Sequence, residues 1–411
     1  MIFFDLHRHD CFSLFDGFGR PKELAKVAKE KGYKALGISN HGSISGLVQH
    51  WQACEEVGIK PIMGCEVYFQ PKFNKESPQR ERFHLCLFVK NYTGYKNLCH
   101  IMTEANTKQF YYVPIVDFGL LKKYSEGLIC TTACIQGPIS QSIVEGNDKL
   151  TRKLLTAFKK LFGRDLYIEI QPYKIDDKGT QQKTDYKLMQ YAREYHIKCI
   201  LTSDSHFGSK EDFDTYCKMH DIGKTTLDVR KTYSERYMPT EHEITERFAK
   251  IYKGKFKKPK ELAEYFVDNM KEIYDKVEDE ILEQSELHLP QIGTGEKNSY
   301  QTLKNMVAQG LKKKGKWNSK YKARAKEELD VIHYHGFDDY FLMVQEYVNW
   351  AREQGIAVGP GRGSACNCLV AYAIGITEVD SIKYKLDFSR FMRKDKKKLP
   401  KLYWASLVNV A

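Results

Sequence analysis

Short apolar runs ending on polar residues alternate with amphipathic stretches through the first two hundred residues. Ile2-Phe3-Phe4-Asp5-Leu6 leads into His7-Arg8-His9, Ala35-Leu36-Gly37-Ile38-Ser39 is followed by His41, and Pro61-Ile62-Met63-Gly64-Cys65 closes on Glu66. Leu128-Ile129-Cys130-Thr131-Thr132 precedes Cys134, and Cys199-Ile200-Leu201-Thr202 precedes Asp204-Ser205-His206. Runs of this length and composition predict strands. Between them Pro21–Lys31 reads as a helix, with proline in its first turn and Gly32 as its stop. Ile44–Val57, Tyr92–Met102, Lys149–Leu161 and Thr184–Tyr195 read as further helices, interleaved with strands such as Leu166–Ile170. This βα alternation predicts an α/β barrel or a wound parallel sheet.

The polar residues at the run ends share a chemistry. In an extended strand the side chains at i and i+2 face the same way, so His7 and His9 can reach one ion. Parallel barrels gather functional groups at the carboxyl ends of their strands, which predicts one shared site for His7, His9, Asp16, His41, Glu66, Cys134, Asp204 and His206. His84 begins the run His84–Val89 instead of ending it, and this scheme does not orient it. His333-Tyr334-His335 repeats the spacing inside an amphipathic helical stretch, where it reads as core or surface.

From Gly208 the apolar strands give way to charged helical patterns that run to about Glu286, and the turn-like Leu289–Gly295 marks a domain boundary. Three helices follow, Tyr300–Lys314, Arg324–His335 and Tyr340–Gln354. Val358-Gly359-Pro360-Gly361-Arg362-Gly363-Ser364 then reads as a glycine-rich loop feeding a helical run from Ala365 to Ile374, with Ser364 as its N-cap. Exposed amides at a helix start suit phosphate, and Arg362 with Arg390 would add cations for a triphosphate. Gly223-Lys224-Thr225 is not a Walker loop, because Lys218 stands where its first glycine belongs.

Composition narrows the setting. A chain of 411 residues, 42% hydrophobic and 29% charged, supports two or three domains with sizeable cores. Charges at Asp5, Arg8 and Asp10 break any leader-like apolar region, and no stretch approaches the ~18 apolar residues of a membrane span, so a cytoplasmic location is expected. Eleven cysteines without Cys-x-x-Cys spacing fit reduced thiols. The net charge of +12 concentrates in Lys253–Lys260, Lys312–Lys326 and Arg393–Lys401. One such run is usually a solvated face, whereas three together predict a polyanionic partner bound through phosphates and weakened by salt.

Taken together, these segments resemble the family C replicative DNA polymerases, the bacterial polymerase III α subunits. The amino-terminal part is similar to their polymerase and histidinol phosphatase (PHP) domain in Asp5–His9, Phe12–Gly17, Ile38–Gly42 and Gly64–Glu66. The carboxyl-terminal part is similar to the start of their palm in Gly336-Phe337, Tyr340–Leu342, Val358–Ser364 and Leu369–Thr377. The resemblance implies a distorted (β/α)7-like PHP barrel over 1–207, its helical completion or a linker over 208–286, and the first part of an α+β palm over 287–400. It implies that His7, His9, Asp16, His41, Glu66, His84, Cys134, Asp204 and His206 hold up to three ions, manganese or zinc by donor type. The implied reaction is phosphoester hydrolysis at a primer 3′ end, a proofreading 3′–5′ exonuclease. Arg362, Gly363, Ser364 and Arg390 would contact a deoxynucleoside triphosphate, and primer–template DNA would be the partner.

Two departures stand out. The family's Gly-Ser-x-x-Gly-Ser becomes Gly363-Ser364-Ala365-Cys366-Asn367-Cys368, and after Leu399-Pro400 the Asp-x-Asp carboxylates that hold the magnesium ions of nucleotidyl transfer are replaced by Lys401-Leu402-Tyr403. Residues 401–411 are therefore expected to be an unrelated tail, read past an intron boundary or frameshift. Synthesis would then need splicing or a second polypeptide to restore the palm. The alternatives are a free-standing PHP phosphoesterase, or a non-catalytic DNA-binding or assembly module.

Overall fold

The computed structural model describes residues 2–176, 178–223, 228–282 and 296–395, with side chains of the last stretch described from 299. The chain divides into two compact units, 1–283 and 284–411. Residues 224–227, which include two of the Gly-Lys-Thr positions, and the tail from 396 lie outside the described residues.

In the first unit one sheet runs in the order Phe110–Tyr111, Val113–Val116, Gly64–Phe69, Phe83–Val89, Leu128–Thr131, Leu166–Ile170, Lys198–Leu201. Ala35–Gly37 and Lys60–Ile62 form a separate parallel pair. The opening segment joins the two. Gly37 N and Ser39 N donate to Asp5 O (2.9 Å) and Arg8 O (2.8 Å) on one side, while His9 N donates to Ser205 O (2.8 Å) and Ser205 N to His7 O (3.1 Å) on the other. The sheet thereby closes on itself through seven segments, 5–9, 35–41, 60–69, 83–89, 128–131, 166–170 and 198–205. Ile2–Leu6, expected as a regular strand, is extended chain with an isolated bridge at Arg8 and Ser205, because each neighbour takes only a few of its backbone groups. Gly37 permits the close approach: a Cβ there would lie 2.1 Å from Leu6 O.

Burial explains the ring's composition. Phe4, Leu6, Leu36, Ile38, Val67, Leu85, Leu87, Ile129, Ile168 and Ile200 are fully enclosed, under helices that include Pro21–Glu30, Leu47–Val57, Tyr92–Lys108, Asp148–Phe162 and Thr180–Glu194. The charged region after 208 supplies Pro259–Lys276, whose buried Phe266, Val267, Met270 and Ile273 pack on the strand Lys198–Leu201. Asn269 Nδ2 donates to Cys199 O there (2.8 Å). All eleven cysteines are free, and among the described residues no helix is long and apolar enough to cross a membrane.

Asp185, on the helix Thr180–Glu194, is enclosed beneath Tyr252, whose hydroxyl donates to it (2.9 Å) along with Gln181 Nε2 (2.9 Å). Burial pushes its carboxyl up to about 8, past the opposing pull of those hydrogen bonds. A raised carboxyl pKa means the folded state binds the extra proton, so this contribution is complete below about pH 4 and is lost as pH rises through about 8. Urea midpoints measured from pH 6 to 9 should fall in the parent protein and stay flatter in Asp185→Asn; parallel curves would refute the assignment.

The second unit is built from Glu296–Lys313, Ser319–Tyr334, Asp338–Glu353 and the short Leu369–Ala373 around Leu303, Val307, Ile332, Phe341 and Val344. Gly310 lets the first and last of these touch, since a Cβ would lie 1.9 Å from Ala373 O. The expected α+β palm portion is thus helical over its described residues. His333 and His335 take separate partners, Asp338 Oδ2 (2.7 Å) and Arg393 O (2.8 Å).

The run expected to be one helix from Ala365 to Ile374, capped by Ser364, is broken. A 3-10 turn spans Gly363–Asn367, and the α-helix starts only at Leu369, capped by Cys368 Sγ. Buried Glu328 accepts from Val370 N (2.9 Å) at that helix start and from Arg324 Nε (2.6 Å), so the amide at the observed helix start already has a carboxylate.

Candidate metal centre

One strand runs against its neighbours, and that places His84. Phe83–Val89 is antiparallel to both Gly64–Phe69 and Leu128–Thr131, so its first residues lie beside their last ones. In register, Tyr68 faces His84 and Glu66 faces Cys86. The scheme that required every ligand to follow its strand assumed parallel strands throughout.

Glu66 lies at the middle of the assembly and is 1% exposed. Its Oε2 is 3.3 Å from His7 Nε2, 3.2 Å from His9 Nε2 and 3.1 Å from His41 Nδ1. Its Oε1 is 3.0 Å from His84 Nδ1 and 3.8 Å from Cys134 Sγ. Asp204 Oδ1 completes the first group, 3.2 Å from His7 Nε2 and 3.3 Å from His9 Nε2. Asp16 gathers another, with Oδ2 3.3 Å from His41 Nε2 and Oδ1 3.4 Å from His206 Nε2. All nine residues singled out in the sequence converge here.

The donor atoms fit cations better than they fit one another. His9 Nε2, Asp16 Oδ2, His41 Nδ1 and Glu66 Oε2 are buried yet form no aligned hydrogen bond, a costly state for a polar atom away from water. A tetrahedral ion with bonds of ~2.0–2.1 Å separates its ligands by about 3.3–3.4 Å. The spacing among His7, His9, Glu66 and Asp204 is 3.2–3.3 Å along the measured edges.

Electrostatics point the same way. Burial opposes charge on His84, but Glu66 and Cys134 outweigh it and raise the imidazole to about 9. Against the same burial, Cys86, Glu169, Asp204 and Glu66 hold His7 well above its ordinary value. Glu66 is held well below the usual carboxylate range by His84, His7 and His41, and Asp16 by His206 and His41. Arg236, His7 and His206 overcome burial to do the same for Asp204. Ions entering this site would displace protons from His7 and His84, so binding must be coupled to proton release.

Several contributors escaped sequence reasoning. Glu169 Oε2 is 2.8 Å from His7 Nδ1 and accepts from Thr202 Oγ1 (2.6 Å) and Gln171 Nε2 (3.1 Å), which aims His7 Nε2 at Glu66 and Asp204. Its signal was available: it is the lone charge in Leu166–Ile170. Arg236 pairs with Asp204 while packed between the rings of Tyr173 (4.4 Å) and Tyr233 (4.2 Å). Nothing distinguishes it among the charges after 208. Asp204 and Ala133 adopt left-handed backbone (φ 49° and 56°), strain that concentrates at functional turns. The centre opens to solvent through a cleft of about 600 Å³ lined by Ser13, Leu14, Asp16, His41 and Tyr68.

In the second unit Arg362, Gly363, Ser364 and Arg390 are all exposed, and the turns Gly363–Asn367 and Phe388–Arg390 that carry three of them adjoin.

Comparison with known proteins accounts for both units. Residues 5–173 match the PHP domain family, and residues 301–402 match the bacterial DNA polymerase III alpha NTPase domain. The DNA polymerase III subunit alpha of Aquifex aeolicus is 36% identical across 97% of this chain. The chain belongs to the DNA polymerase III alpha family. The corresponding subunits of Borreliella burgdorferi and Helicobacter pylori are 33% and 31% identical, again across 97% of the chain. It spans about a third of the length of these polymerase III alpha relatives, between 34% and 35% of each, and corresponds to their amino-terminal portion. Among solved structures, an amidohydrolase from Chromobacterium violaceum aligns with 49% of this chain and 87% of its own at 14% identity, with a TM-score of 0.33.

Proposed function

We propose that the first unit is a metal-dependent phosphodiesterase that trims a primer 3′ end, a proofreading 3′–5′ exonuclease within a replicative DNA polymerase. The observation that carries this is Glu66, whose two carboxylate oxygens face different donors, Oε2 the imidazoles of His7, His9 and His41, and Oε1 that of His84 and the Cys134 thiol. His7, His9, Glu66 and Asp204 would hold one ion, His41, Glu66, His84 and Cys134 a second, and His9, Asp16, His41 and His206 a third, with manganese or zinc matching the mixed donors. When bound, such ions lower the pKa of water and neutralise charge on a phosphoryl oxygen.

The chain's own groups order the site around that chemistry. Asp16 and His41 keep about a fifth of their side chains exposed at the mouth, where substrate would arrive, while Glu66, Asp204 and His7 are shut away. Arg82 lies over the Tyr68 ring beside the mouth (5.3 Å), a cation available to an incoming phosphate.

On a 3′-mismatched primer with Mn²⁺, the parent protein should release nucleotides from the 3′ end. His9→Ala should be slower by more than about 100-fold, since even outer partners of metal ligands typically cost 10–100-fold. Equal inertness of the two proteins would end this reading. For the second unit we propose that Arg362, Gly363, Ser364 and Arg390 contact the triphosphate of a deoxynucleotide, with primer–template DNA as partner. Nucleotidyl transfer would then use magnesium ions held by carboxylates.

A further inference from the structure

A second cleft of the first unit shares no lining residue with the one over the metal centre and is strongly basic. It encloses about 930 Å³, and seven of its sixteen lining residues are Lys or Arg against two carboxylates. Both carboxylates are engaged: Asp176 accepts from Thr180 N (3.0 Å), and Glu235 lies 4.0 Å from Arg247 Nε. Lys174, Lys178, Lys183, Lys250 and Lys255 are exposed and form no ion pair among the described residues. Five like charges around one concavity repel one another unless an anion sits among them. The half-buried ring of Tyr186 lines the same cleft, giving an aromatic surface beside the cations.

Two stretches of chain connect this cleft to the metal centre. Thr232, Ser234 and Glu235 line the cleft, while in the same segment Tyr233 packs on His206 (ring centroids 4.9 Å apart) and Arg236 pairs with Asp204. Lys174 lines the cleft, and its neighbour Tyr173 lies against Arg236. The lining of the cleft and the surroundings of Asp204 and His206 are thus built from the same two stretches of chain.

We infer that this cleft binds the sugar–phosphate backbone of a single nucleic-acid strand and presents the strand's end to the metal centre. The inference rests on the proposed phosphodiesterase reading for its direction, but the binding itself needs no metal. Lysines supply sequence-independent phosphate contacts, and stacking on tyrosine is tolerant of base identity, as a site that must accept any terminus requires.

The test is fluorescence anisotropy of the full chain with a labelled oligothymidylate of about twelve nucleotides in EDTA, across a salt series. The triple variant Lys183→Glu, Lys250→Glu, Lys255→Glu should bind at least about 10-fold more weakly, and its log–log salt slope should shrink by about 2, from ~0.7 per lost contact on single strands. Its thermal midpoint should be unchanged, and the Gln triple should fall between the two if charge is responsible. Unaltered affinity and slope would overturn the inference, as would equal competition by polyglutamate at matched charge, which would indicate an acidic protein segment. Mn²⁺-dependent hydrolysis of bis(p-nitrophenyl) phosphate separates the two readings. If that small diester is cleaved and the triple variant binds oligonucleotide normally, the cleft assignment fails alone; if nothing is cleaved but binding falls, the hydrolytic reading fails alone.

Discussion

Replacing Glu66 by glutamine should remove metal-dependent hydrolysis by about 1,000-fold or more, and with it most of the bound metal measured after equilibration and gel filtration. The side chain keeps its shape, so the loss isolates charge. Both oxygens of Glu66 face ligand groups, and an amide nitrogen in place of either would direct N–H groups toward imidazole and thiol donors that need an anion between them. Charge stabilisation by bound ions contributes several kcal/mol to such reactions, and about 4 kcal/mol corresponds to roughly 1,000-fold in rate.

A second readout of this variant requires no metal. After burial, which favours the neutral ring, Glu66 is the main influence on His84, raising it to about 9. A raised histidine pKa contributes stability that is complete below about pH 6.5 and is lost as pH rises through about 9. In Glu66→Gln the His84 titration followed by NMR should move down, and the fall in stability across that window should diminish. Retained metal together with an unmoved His84 would show that Glu66 is not the bridging group.

How much of this centre was legible depended on local pattern. Polar residues ending apolar runs, with Asp16 in the turn after the first, identified eight of the nine residues that converge here, because the ring of strands turns that local pattern into a spatial one. His84 belongs with them only because its strand is reversed, and strand direction is set by pairing partners far along the chain. Glu169 could have been found as a lone charge in an apolar run, whereas Arg236 lay in a region where charges are frequent and their burial cannot be read. The same limit applies to the glycine-rich loop: Ala365–Ile374 has helical composition, but Glu328, some forty residues earlier, takes the amide of Val370 and fixes where the helix begins. Short amphipathic pieces such as Phe118–Tyr124 and Pro138–Val144 carry too few turns for a periodic signal.

Arg236 gives the largest expected effect on folding. It is 5% exposed, pairs with Asp204, and lies between the rings of Tyr173 and Tyr233. Arg236→Met keeps much of the volume but leaves a buried carboxylate without its cation, a change that typically costs 3–5 kcal/mol. For a unit of this size that corresponds to a fall in Tm on the order of 10 °C in EDTA. Arg236→Lys should fall in between, because an ammonium restores the charge but not a planar group that fits between two rings. Added Mn²⁺ or Zn²⁺ should then raise the Tm of Arg236→Met by more than it raises the parent's. The freed Asp204 Oδ2 can turn to the ion beside Oδ1, and a ligand at 100 times its Kd contributes about 2.7 kcal/mol. If the metal-free variant melted with the parent, Arg236 would not be the counter-charge of Asp204. If metal stabilised both proteins equally, Asp204 would not be among the ligands, and the first ion would have to be held by His7, His9 and Glu66 alone.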